Sequence, residues 1–168
     1  LSLMITLSKL IRMSAPKRKD VKLIKRLARY LKGRQRVVTK YGYQKCEWEI
    51  DTWTDTDFAG CKETRKSTSG GVVMVGGHMI KSWSSTQSVV ALSSGEAEYY
   101  GLVRGASQAL GMRSILSDMG IDMSIRIRTD SSAAKGIASR LGFGKVRHIE
   151  VAQLWVQEKV RSGDIVLE

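Results

Sequence analysis

Apolar residues recur along the chain with two different periods. In KRKDVKLIKRLARYLKG, residues 17–33, Val21, Ile24, Ala28 and Leu31 fall on one stripe, which predicts a helix capped at Ser14, with Pro16 in its first turn and Gly33 at its end. The rest of that helix surface, Lys17, Arg18, Lys19, Lys22, Lys25, Arg26, Arg29 and Lys32, forms a basic ridge. From Ile50 the period becomes two. Ile50, Thr52, Thr54, Thr56 and Phe58 share one side, while Asp51, Trp53, Asp55 and Asp57 share the other, which predicts a strand with an acidic face. AGCKETRKSTSGG, residues 59–71, is a turn-rich connection, and GVVMVGGHMIKSWSS, residues 71–85, reads as two short strands joined near Gly76 and Gly77. A long helix follows, capped by Ser93 with Glu96 completing a capping box, and stopping at Gly120. SIRIRTD, residues 124–130, alternates like a strand. SSAAKGIASR, 131–140, is a short helix, HIEVAQLWVQEKVR, 148–161, is an amphipathic one, and GDIVLE, 163–168, begins a last strand. The order β-β-β-α-β-α-α-β predicts an α/β fold in which three antiparallel strands are extended by parallel ones.

Charge divides the same chain in two. Its 168 residues carry a net charge of +12, and residues 1–50 hold 14 basic side chains against Asp20, Glu47 and Glu49, so the remainder is close to neutral. We therefore expect a basic connecting segment over 1–49 and a globular domain over 50–168, with a polyanion as partner. Hydrophobic residues at 42% and charged ones at 26% exclude a disordered or fibrous chain. Cys46 and Cys61, with only His78 and His148, offer no disulfide framework and no zinc spacing. The opening LSLMITLSKLIRM is interrupted by Lys9 and Arg12, well short of the ~20 apolar residues of a membrane span, so it reads as a packed helix and no membrane partner is expected. Without an initiator Met or a cleavage signal, the chain reads as part of a longer polyprotein.

Three carboxylates carry the candidate chemistry. Asp55 lies in the first strand, where it is a metal ligand or a hydrated, edge-protecting charge. Glu98 precedes Leu102, Ala106, Ala109 and Leu116 on the stripe of the long helix that should face the sheet, where an acid costs stability unless a cation neutralises it. Asp130 ends its strand just before a helix and is a ligand or an N-cap. If the fourth strand pairs beside the first, Asp55 and Asp130 are neighbours and Glu98 overlooks them. Such a cluster repels itself unless divalent cations intervene, and oxygen-only ligands suit Mg²⁺ or Mn²⁺. Two ions ~4 Å apart can activate a water and stabilise the leaving 3′ oxygen of a phosphodiester.

WTDTDFAGCKETRKSTSGG, IKSWSSTQ, SSGEAEYYGL, IRTDSSAA and RHIEVAQLWVQEKVRSG together resemble the ribonuclease H region of copia-type LTR retrotransposon Pol polyproteins, and APKRKDVKLIKRLARYLKG resembles the connection that joins reverse transcriptase to it. The resemblance implies a ribonuclease H-like fold with a mixed five-stranded sheet flanked by helices. It also implies endonucleolytic hydrolysis of the RNA strand of RNA/DNA hybrids with two Mg²⁺ ions, and the rest of the Pol polyprotein, reverse transcriptase above all, as partner. By this likeness Asp55 is the first-strand aspartate, Glu98 the helix glutamate and Asp130 the aspartate of the TDS turn. The setting it implies is a cytoplasmic virus-like particle, or the nucleus. The family continues into an A-D-hydrophobic-x-T-K block whose aspartate is a fourth metal-site carboxylate, and the chain stops at Glu168 before such a block. Truncation at that end is therefore expected. Glu150 is a candidate replacement or a favourable charge at a helix start, and His148 beside it contacts substrate or caps the helix. The opposing reading is a nucleic-acid-binding remnant of the same fold with an incomplete carboxylate set.

Overall fold

The alternation that begins at Glu49 becomes β1 (Glu49–Asp57), the centre of a five-stranded sheet. β1 pairs antiparallel with β2 (Thr68–Val75), from Ile50 opposite Val75 to Asp57 opposite Thr68, and β2 pairs antiparallel with β3 (His78–Thr86). On its other side β1 runs parallel to β4 (Ser124–Arg128), and β4 runs parallel to β5 (Val166–Leu167), giving the order β3-β2-β1-β4-β5. The structure is a computed structural model that describes residues 17–34, 36, 38–45, 47–142, 149 and 153–168.

A parallel step cannot be closed by a tight turn. Between β1 and β4 the chain makes the β2–β3 hairpin and then crosses as the long helix α2 (Ser94–Asp118). Two short helices, α3 (Ser132–Ala138) and α4 (Trp155–Arg161), complete that layer. α2 covers the β1 face of Ile50, Thr52, Thr54 and Thr56, and the core there includes Leu102, Val103, Ala106, Ile125, Ile127, Val156 and Ile165. Each fully buried aliphatic side chain there contributes about 1.5–3 kcal/mol. The Tyr99 hydroxyl, inside this core, donates to the Gln153 carbonyl at 2.7 Å and ties α2 to the approach of α4; burial pushes its pKa up to about 12.

The opposite face of β1 has another character. Trp53 is 45% exposed, and the Arg128 guanidinium lies 5.0 Å over its ring while pairing with Asp51 at 2.8 Å. Arg126 pairs with Glu49 at 2.8 Å, and Glu168 reaches both arginines. This face is a lattice of charges spanning β1, β4 and β5.

Ahead of the sheet stands α1 (Arg18–Gly33), with Lys17 as N-cap, whose N–H donates to Asp20 Oδ2 at 2.8 Å. The helix ends at Gly33, as expected, with Arg34 as its C-cap, and Ser14 and Pro16 lie outside the described residues. Two expectations are corrected. Thr68, Ser69 and Gly70, read as turn, form the start of β2, because small polar residues are what fits beneath α2 there. Of the helix read over 148–161, α4 starts at Trp155, and Ile149, Gln153 and Leu154 are not α-helical; residues 148 and 150–152 lie outside the described residues. Among the described residues no helix is long and apolar enough to cross a membrane. The mixed five-stranded sheet, three antiparallel strands extended by parallel ones and flanked by helices, is the architecture expected from the sequence.

Candidate active site

Asp55 sits opposite Gly70 near the C-terminal end of β1, and Asp130 lies two residues past the end of the parallel neighbour β4. Parallel pairing points both strands the same way, so their ends open at one edge. The two aspartates line one cleft of about 410 Å³ together with Trp53, Thr54, Arg128, Thr129 and Glu168. Asp55 is half-buried and Asp130 exposed. Asp130 is not the helix cap: Ser131 takes that role, its Oγ accepting from the Ala134 N–H at 3.1 Å, which leaves the Asp130 carboxylate out of the capping interaction.

Glu98 comes to this edge from α2. Ser93 caps the helix by accepting from the Glu96 N–H at 3.2 Å, and the buried Glu96 carboxylate accepts from the Leu92 N–H and the Tyr100 hydroxyl, both at 2.9 Å. That fastened first turn carries Glu98 one residue before the buried Tyr99 and four before Leu102. The helix descends close onto β1 because Gly101 and Gly105 face the strand. A methyl group at Gly101 would collide with Thr56 Oγ1, and one at Gly105 with Thr54 Cγ2.

Burial, then Asp55, then Asp130 push the Glu98 pKa up to about 7, while the N–H and hydroxyl of Thr56 pull it back. Glu98 Oε2 is buried with no hydrogen-bond partner among the described residues. An orphaned buried oxygen facing two further carboxylates is costly by itself and calls for positive charge. The donor set is all oxygen and fits a hard divalent cation. Among the described residues, however, no three His, Cys, Asp or Glu side chains are gathered tightly enough to hold one ion, so the carboxylates converge on an edge without closing around a common point. Glu150 and His148 lie outside the described residues.

A larger cleft of about 540 Å³ lies beside α2, lined by Ser85, Gln87, Arg104, Ser107 and Gln153 among others, and contains no acid. It lacks the means to hold a metal. Sequence reasoning missed Thr56 beside Glu98, Gln87 bonded to Ala97, and the Trp53–Arg128 stack at the smaller cleft; only Trp53 had a signal, as a large aromatic on the polar side of a strand.

No protein-family model matches the chain. The Pol polyprotein of transposon RE1 from Arabidopsis thaliana is 31% identical over 157 residues, covering 90% of this chain and 10% of that protein. The RE2 polyprotein from the same plant is 32% identical over 146 residues, covering 83% and 10%. The TNT 1-94 polyprotein of Nicotiana tabacum is 26% identical over 147 residues, covering 86% and 11%. The chain is a homologue of copia-type retrotransposon Pol polyproteins. This Pol-related segment thus spans about a tenth of the length of these curated relatives. Solved structures similar to this chain include ribonucleases H. One is LC11 ribonuclease H1 isolated from compost, with TM-score 0.45 and 18% identity over 71% of this chain and 82% of that one. Another is the N-terminal ribonuclease H domain of a Mycobacterium tuberculosis protein, with TM-score 0.45 and 18% identity over 71% and 77%.

Proposed function

We propose that this segment is the ribonuclease H of a retrotransposon Pol polyprotein and cuts the RNA strand of RNA/DNA hybrids endonucleolytically. The observation that carries the reading is the Glu98 carboxylate, half-buried, lacking a partner on Oε2 among the described residues and facing Asp55 and Asp130. In this reading Asp55, Glu98 and Asp130 would hold two Mg²⁺ ions, or Mn²⁺ in their place, which when bound would supply Lewis acidity for the attacking water and the leaving 3′ oxygen. Asp55 contributes from β1, Asp130 from just beyond the end of β4, and Glu98 from a helix fixed by its cap. Lys17 at the N-cap and the exposed Arg18, Lys22, Lys25, Arg26, Arg29 and Lys32 of α1 supply a ridge for the phosphate backbone. Reverse transcriptase and the rest of Pol are the natural partners of such a segment, and its setting is a cytoplasmic virus-like particle.

The test is cleavage of a labelled RNA/DNA hybrid with Mg²⁺. The chain should cut the RNA strand, and Asp55→Asn, Glu98→Gln and Asp130→Asn should each lower the rate at least ~10²-fold while hybrid binding persists. Carboxylates that are not drawn around a common point favour a second reading, a hybrid-binding remnant that does not turn over. Binding without cleavage under Mg²⁺ and Mn²⁺ alike would establish that reading in place of the first.

A further inference from the structure

We propose that Gln87 is the positioning residue for Glu98, pinning the first turn of α2 to β2 so that the carboxylate is held at the edge shared with Asp55 and Asp130; the inference rests on the site reading above. Gln87 follows directly after β3 and is 9% exposed. Its backbone N–H donates to the Ser67 carbonyl at 2.8 Å. Its side-chain nitrogen donates twice, to Ser69 Oγ at 2.8 Å and to the Ala97 carbonyl at 2.8 Å. Ala97 immediately precedes Glu98. Ser69 stands opposite Thr56 in the β1–β2 register, next to the Gly70–Asp55 pair, and its hydroxyl lies 3.4 Å from that of Thr56. One amide nitrogen thus joins the strand segment beside Asp55 to the helical turn that bears Glu98.

The need for such a pin follows from how α2 sits. Gly101 and Gly105 let the helix approach β1 closely, but a contact made through glycines has few side-chain stops against sliding or rotation. A hydrogen bond is directional and supplies the missing stop. The carbonyl oxygen of Ala97 has two lone pairs, so it can accept from Gln87 without giving up its helical bond. Packing alone does not account for the residue. Gln87 Oε1 is buried without a partner among the described residues, a cost that an apolar side chain of similar size avoids. What an apolar side chain cannot reproduce is the pair of N–H donors.

The test compares Gln87→Met, near in shape but without donors, with Ser69→Ala, which keeps the bond to Ala97. In Gln87→Met, amide exchange over Ala97–Gly101 should quicken about tenfold while Leu102–Leu116 stays as in the parent protein. Calorimetric Mn²⁺ affinity should fall about tenfold, and kcat on hybrid should fall with KM within about twofold. Ser69→Ala should give a smaller change in the same direction. Ile137→Val, a buried substitution on α3, is the control for general loss of stability. Unchanged exchange over Ala97–Gly101, or an equal loss of Mn²⁺ affinity in the control, overturns the proposal. Should Gln87→Met fail to fold, Ser69→Ala decides: exchange confined to the first turn supports the pin, and exchange spread over the whole of α2 overturns it. A parent protein showing no Mn²⁺ binding that Glu98→Gln removes would sink the site reading, and the exchange measurement would still decide whether Gln87 fixes the turn.

Discussion

Glu98 is held where its charge is least welcome. Its carboxyl keeps a proton up to about pH 7 in the folded protein, whereas in the unfolded chain it titrates near the ordinary glutamate value. Between those two points the folded state binds more protons, so the stability of the metal-free protein should fall as pH rises through that window and level off above it. Glu98→Gln should remove this slope and, at pH 8, stabilise the metal-free protein by about 1–2 kcal/mol, a figure reduced for the solvent that reaches a half-buried group. Urea unfolding of both proteins at pH 5 and pH 8 with a chelator checks it; a parent protein equally stable at both would contradict the described environment of Glu98. This residue was legible in the sequence because an acid on the sheet-facing stripe of a helix breaks a strong pattern. Asp55 was legible as one of several acids on a strand face, and Asp130 only as one of two alternatives, since strand end and helix cap coincide in sequence. Gln87 left no trace, because its partners Ser69 and Ala97 are brought to it by the fold and a lone polar residue after a strand looks like any loop residue.

The elements divide by what their periodicity could report. β1, α2 and β4 stand close to where alternation and the Ser93 cap placed them, because each buries one face against the same core. The start of β2 was hidden because Thr68, Ser69 and Gly70 have turn composition but are selected for fit under a helix. α1 raises a different question, since both its faces are open: Val21, Ile24 and Leu31 are 42%, 43% and 54% exposed. Its amphipathic pattern is therefore not explained by burial within the described residues, and its charge carries the testable consequence. Replacing Lys22, Lys25, Arg26 and Arg29, which share one side of the helix, with Gln should weaken hybrid binding at low salt. It should also make the plot of log affinity against log salt shallower by up to about four units. Fluorescence anisotropy from low to moderate KCl measures both, and an unchanged slope would make the ridge a solvated surface and nothing more.

At the scale of the whole molecule, the parallel junction between β1 and β4 governs the order of events. β1, β2 and β3 are joined by local turns and can assemble early, whereas β4 must wait for α2 to cross the sheet. Pulse-labelled hydrogen exchange during refolding should find amides of Val72–Val75 protected before those of Ile125 and Ile127; simultaneous protection would show that the sheet forms as one unit. The same junction sets a clock on the growing polypeptide. While a ribosome is still making α2, Asp55 has no Asp130 to face, so a nascent chain possesses half of an edge and none of its chemistry. On the function proposed above, a site built across such a junction would stay incomplete until β4 has emerged and docked. The distance along the chain between the two aspartates thereby acts as a delay, which a fold with both acids on one hairpin would not have.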